Sequence, residues 1–132
     1  MKVEPAATDL LAIARATILE QVVPALPQAQ RYAALMAANA LAIAGRDLAT
    51  PGNAAAEIAR IASLLPGWTP TGGDEAAALR EGTARLASAI REGRYDEGEA
   101  RARLMEHLRE TARARLAVSN PRALAREQGT SP

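Results

Sequence analysis

Six polar residues have the types and spacing to do chemistry. Asn39, Arg46 and Asp47 lie in YAALMAANALAIAGRDL, residues 32–48, and His107, Arg109 and Arg115 lie in HLRETARAR, residues 107–115. Tyr32, Met36, Asn39, Ile43 and Arg46 are spaced by four, three, four and three, which puts them on one helical stripe and Asn39 in a packed seam. An amide buried without a partner costs about 1–3 kcal/mol, so a partner across that seam is expected. The fifth helix supplies one. Its core face centres near Leu104, Leu108, Ala112 and Leu116, the same arc contains Arg115, and His107 sits at its border. A guanidinium turned inward needs a carboxylate or an anionic ligand, and Asp47 is the expected internal partner. Asn39, Arg46, Asp47, His107 and Arg115 are therefore expected to form one polar patch between helices two and five.

Such a patch supports two kinds of role. As a structural network it fixes helix register, a well-attested use of one buried asparagine. As a binding site it takes an anionic group, a phosphate or an acyl-CoA, on Arg46, Arg109 and Arg115 near His107. Catalysis is disfavoured. His107 is the one histidine, no cysteine exists, and Ser63, Ser88 and Ser119 lack the strand-turn-helix context of an activated serine. One histidine with one aspartate is also a poor metal site. No catalytic residue, metal or cofactor is expected.

The elements that must position these residues are helices. Of 132 residues 48% are hydrophobic, with abundant alanine, no phenylalanine and too few β-branched residues for a sheet. The expected fold is all-α, a single-domain bundle over 1–132 of about five helices and a short C-terminal helical turn, with 1–8 and 125–132 frayed. Thr8 or Asp9 caps the first helix, whose Leu11, Ala14, Ile18 and Val22 share a face, and Pro24 and Pro27 stop it. Helix two, from about Pro27 to Leu48, is apolar nearly all round and is expected to be central and most buried. Asn53 is placed as the cap of helix three, with Ile58, Ile61, Ala62 and Leu65 inward. Trp68, in a Pro/Gly loop, is expected to cover the core edge. Asp74 starts helix four, with Leu79, Thr83, Leu86 and Ile90 inward and Gly93 just past its end. Asp96 and Glu99 form a capping-box-like start to helix five, which runs to about Val118. Asn120 as cap and Pro121 at the first helical position account structurally for that pair.

Sixteen basic residues against fifteen acidic leave a charge of +1, which does not favour nucleic-acid binding. The arginines between Arg101 and Arg126 read as a solvated helix face. The first residues carry an acid and a proline where a signal peptide would be basic then apolar, and no stretch reaches membrane-spanning length, so a cytoplasmic location is the expectation and membrane association is not.

LLAIARATILEQVVPAL, AANALAIAGRDL and HLRETARARLAVSNPRAL resemble an uncharacterised bacterial helical family, a domain of unknown function found beside aminoglycoside-phosphotransferase-like kinases and acyl-CoA dehydrogenases. The likeness runs from about Asp9 to Leu124. Its most specific signs are Ala-Asn-Ala-Leu at 38–41 and the His-Leu and Asn-Pro-Arg pair of motifs ending at Arg122. By that likeness Asn39, Arg46, Asp47, His107, Leu108, Asn120 and Pro121 stand at positions typical of the family. Ala33, Asp47, Arg115 and Ala123 depart from it, standing where the family commonly has histidine, glutamate, lysine and an aromatic. The resemblance implies a fold and a context, not a mechanism; together with the residues it leads to the expectation of a noncatalytic accessory or protein-interaction module, with a phosphotransferase-like protein or an acyl-CoA dehydrogenase as partner. Alanine-rich helix surfaces would also suit a homodimer.

Overall fold

The computed structural model describes residues 4–129, and every regular element among them is helical. The α-helices are α1 (Ala7–Thr17), α2 (Gln28–Leu48), α3 (Asn53–Leu64), α4 (Glu75–Arg91), α5 (Gly98–Ser119) and α6 (Pro121–Gln128). The five long helices and the short last one are those the periodicity predicts. Of the ends expected to fray, 1–3 and 130–132 lie outside the described residues, while helix covers 7–8 and 125–128. The residues group into two compact units, one built from those up to Pro51 together with those from Ala117 on, the other from Gly52–Leu116.

In the first unit α1 packs on α2. The cap differs from expectation. Ala6 is the cap residue, and Asp9 works from inside the first turn, where its carboxylate accepts the Ala6 amide at 3.1 Å. Pro24 has no amide hydrogen to continue the helix. The chain widens into a π-helical turn at Ile18–Val22 and tightens into a 3-10 turn at Val23–Ala25 before Leu26 goes extended. Arg31 Nε donates to the Leu26 carbonyl at 3.1 Å, tying the corner to the first turn of α2.

Helix α2 is not the buried centre that its composition suggests. Ala38 alone is buried, and Ala34, Leu41, Ala42 and Gly45 on the same side are half-buried. Tyr32 is 73% exposed, Leu35 47% and Met36 48%. Apolar residues all round a helix require neighbours all round. Within its unit α2 has its main partner on one side.

The buried core belongs to the second unit: Ile58, Ile61, Leu64, Leu65, Trp68, Ala78, Leu86, Ala89, Tyr95 and Leu104. Gly52, at φ 93°, is the residue before α3, so Asn53 opens the helix instead of capping it. Trp68 does cover the core, and it decides which face of α4 turns inward. A Cβ on Gly82 would stand 2.7 Å from Trp68 Cη2 and 3.1 Å from Ile61 Cγ2, so only glycine admits the indole. The inward row is accordingly Ala78, Gly82, Leu86 and Ala89, while Thr83 and Ile90 are exposed and Leu79 half-buried. Sequence hydrophobicity favours larger side chains and misses a face made of small ones. Asp74 caps α4 by accepting from Ala77 N at 3.2 Å. At the other end Gly93 (φ 83°) donates to Ile90 O at 3.0 Å and Arg94 to Ala89 O at 3.2 Å, the paired bonds of a Schellman motif. Helix α5 begins at Gly98, past the Asp96 put forward as its cap.

Candidate functional site

Glu57, Arg60 and Ser63 recur along α3, and Arg103, His107, Thr111 and Arg115 recur every fourth residue along α5. Hydrogen bonds join the two rows. Arg115 Nη2 meets Glu57 Oε1 at 3.1 Å, Arg60 Nη2 donates to Thr111 Oγ1 at 3.4 Å, and Arg103 Nη2 donates to the Ser63 carbonyl at 2.8 Å. Low numbers on α3 meet high numbers on α5, so the helices run antiparallel. Arg103 and Tyr95, whose hydroxyl donates to Leu64 O, satisfy carbonyls that the last turn of α3 leaves without helical partners.

His107 lies in this seam and is only 6% exposed. It is not at the border of the inward arc of α5. That arc holds Leu104, His107, Thr111 and Ala114, whereas Leu108 and Ala112 are exposed. The physical reason is the small-residue and polar character of the positions facing α3, which an index of hydrophobicity passes over. Burial lowers the affinity of His107 for a proton, the nearby Arg60 lowers it further and Arg115 adds to this, while Glu57 pulls the other way. The ring is therefore held neutral. His107 Nδ1 and Arg60 Nε are both buried without a hydrogen-bond partner among the described residues. Beside them a cleft of about 220 Å³ is lined by Arg60, Ser63, Leu64, Arg103, Glu106 and His107.

This arrangement can hold a small anion against Arg60 and Arg103. It does not assemble a hydrolytic serine. Ser63 shares the cleft with His107, yet its hydroxyl donates to Arg60 O at 2.7 Å. Among the described residues no group of three His, Cys, Asp or Glu side chains could hold a metal ion.

The six residues put forward from sequence are divided between the two units, Asn39, Arg46 and Asp47 in one and His107, Arg109 and Arg115 in the other. Asn39 is exposed, which corrects its placement in a packed seam; Tyr32 and Met36 of its stripe are exposed with it, while Ile43 and Arg46 are half-buried. Asp47 is exposed. Half-buried Arg46 donates from Nε to the Val118 carbonyl at 2.6 Å, satisfying a free carbonyl in the last turn of α5. Arg109 makes a loose contact of 3.9 Å with Glu106 on the surface. Arg115 is 67% exposed at its side chain, so it does not point inward, and its carboxylate partner Glu57 is the shielded member at 14%. Asn120 caps α6 by accepting from Ala123 N at 3.3 Å, with Pro121 at the first position, as expected. Glu57, Arg60, Arg103 and Thr111 were missed from sequence. The four-residue spacing of Arg103, His107, Thr111 and Arg115 was the available signal.

No helix among the described residues is long and apolar enough to cross a membrane. Comparison with curated proteins and with solved structures returns no match. A family profile matches residues 24–123, from the corner after α1 to the first turn of α6, and therefore covers α2, the whole α3–α5 seam and the Asn120 cap. The chain belongs to this family, which is described as a domain of unknown function (DUF6285).

Proposed function

We propose that the protein is a noncatalytic, cytoplasmic bacterial accessory module that works by protein–protein contact, with a phosphotransferase-like protein or an acyl-CoA dehydrogenase as its partner system. One observation carries this reading. Leu10 and Ile13 on α1 and Tyr32, Leu35, Met36 and Leu48 on α2 leave much of their apolar surface in water. Leu10 and Ile13 share a side of α1, Tyr32, Leu35 and Met36 share a side of α2, and large apolar residues grouped in this way mark surface open to a partner. The test is capture of tagged wild type and of Leu10→Asp/Ile13→Asp from native extract, with circular dichroism to check that the variant keeps its helices. Stoichiometric recovery of a partner of either named class by wild type, and its loss in the variant, is the expected result. Recovery of neither class removes the accessory reading.

A second reading is favoured by the α3–α5 cleft: binding of a small phosphate or acyl-CoA headgroup by Arg60 and Arg103 beside neutral His107. Inorganic phosphate and coenzyme A titrated against labelled protein should shift the His107 ring resonances. Unmoved resonances at millimolar ligand would eliminate this reading.

A further inference from the structure

The α3–α5 seam, which lies wholly inside the unit Gly52–Leu116, holds polar groups that nothing within it satisfies. Arg60 Nε and His107 Nδ1 are buried without partners, and Arg60 makes no ion pair among the described residues, because the Glu57 carboxylate goes to Arg115. We infer that the cleft beside them binds a short-chain monocarboxylate, whose head accepts from Arg60 Nε and His107 Nδ1 and whose apolar tail lies along Leu64. This rests on the anion-binding reading of the cleft and names the chemical class of its ligand.

The donors decide the sign of the ligand. Arg60 Nε always carries its hydrogen and can only donate. The neutral imidazole of His107 has one N–H, and an acceptor shared with Arg60 draws the tautomer with its hydrogen on Nδ1. Two N–H groups bordering one cleft call for an oxygen that accepts from both, and the unpaired guanidinium favours an anionic oxygen over a neutral one. The charge balance decides the valence. Arg103 and Glu106 in the lining offset each other, and Glu57 and Arg115, which also act on His107, are paired together, so the single charge of Arg60 remains. A carboxylate matches it. Phosphate carries about two negative charges at neutral pH and brings four oxygens, more than these N–H groups satisfy, and would set the rest against Leu64 and the Glu106 carboxylate. Size limits the tail. At roughly 30 Å³ for each water-sized atom, a cleft of about 220 Å³ takes about seven heavy atoms, an acid of four or five carbons.

Neither nitrogen is open to water while the seam is closed, so the carboxylate enters as a lining side chain moves aside. Arg103 is that side chain. It is exposed, and one solvent-exposed hydrogen bond, from Nη2 to the Ser63 carbonyl at 2.8 Å, holds it between the two helices.

The test titrates butyrate, butyramide and inorganic phosphate separately into the nitrogen-15-labelled full chain at neutral pH and constant ionic strength. Butyrate should move the His107 ring resonances with Kd of about millimolar order, as suits a ligand of about six heavy atoms, and the ring nitrogen shifts should place the hydrogen on Nδ1 in the complex. Butyramide has the same shape without the charge and should bind about tenfold more weakly, as should phosphate. Arg60→Met exchanges a half-buried, unpaired charge for an apolar side chain, so it should keep its helices by circular dichroism and lose butyrate. Where that variant does not fold, Arg60→Lys keeps the charge without Nε–H and should weaken butyrate about tenfold. Butyramide equal to butyrate, the hydrogen on Nε2 in the complex, or a folded Arg60 variant that binds butyrate as wild type does would each overturn the inference. Phosphate tighter than butyrate would overturn the monocarboxylate and leave the anion-binding reading standing. Ring resonances unmoved by all three would remove both.

Discussion

Two glycines in helix interiors should respond to alanine with opposite signs. Replacing an interior glycine with alanine gains about 1 kcal/mol from helix propensity where the new methyl meets nothing. Gly45 in α2 is such a place, with no atom within 4 Å of a built Cβ. Gly82 is the reverse. Its Cβ would stand 2.7 Å from Trp68 Cη2, while carbon atoms in ordinary contact sit about 3.5–4.0 Å apart, so the overlap is close to 1 Å. The indole cannot swing away freely, because Trp68 is buried in the core and Ile61 Cγ2 stands 3.1 Å from the same point. Overpacking of that kind costs about 1–3 kcal/mol and propensity returns about 1, which leaves Gly82→Ala destabilised by up to about 2 kcal/mol. For a chain of this size each kcal/mol is roughly 3–5 °C in Tm.

The assay is thermal and urea unfolding followed by circular dichroism and by fluorescence of the sole tryptophan. Gly45→Ala should raise stability and Gly82→Ala lower it. Trp68→Phe supplies the control, since it removes Cη2 and should turn the Gly82→Ala effect from cost to gain. A stabilised Gly82→Ala in the wild-type background, or a cost that persists in Trp68→Phe, would refute the account of why α4 turns its smallest residues inward.

Tyr95→Phe should cost about 1–2 kcal/mol in urea unfolding, since it leaves a carbonyl at the end of α3 without its donor. Arg115→Met should cost no more than about 1 kcal/mol, because the arginine is mostly in solvent; complete loss of folding would show instead that Glu57 cannot stand without it. For His107 the sign follows from its depressed proton affinity. Above about pH 6.5, the ordinary value, both folded and unfolded chains hold it neutral, and its contribution is constant. As pH falls below that, the unfolded chain binds a proton before the native one does, so stability drops until the native ring titrates too. Urea midpoints at pH 7.5 and 5.5 should show this loss, and His107→Leu should diminish it. A wild-type midpoint that rises on acidification would refute the assignment.

What could be read from the sequence divides by the range of the interaction involved. Helix ends depend on neighbours within a turn, and those at Asp74, Gly93 and the Asn120-Pro121 pair came out as the residue types dictate. Which side of a helix faces inward depends on the partner surface. Trp68 selects Gly82 and not Thr83 for contact, and the α3 row of Glu57, Arg60 and Ser63 selects His107 and not Leu108. Neither partner is visible from the helix itself. Helix α2 carries the point furthest. Periodicity established that Tyr32, Asn39, Ile43 and Arg46 share a stripe, and an amide in such a stripe implied a partner. Both inferences are indifferent to whether the partner is the same chain or another. Within the chain Tyr32, Met36 and Asn39 face solvent while Ile43 and Arg46 are half-buried, so one stripe that the pattern read as a seam passes from open surface to partial cover along the helix. An isolated amide costs nothing in water and becomes costly only when covered.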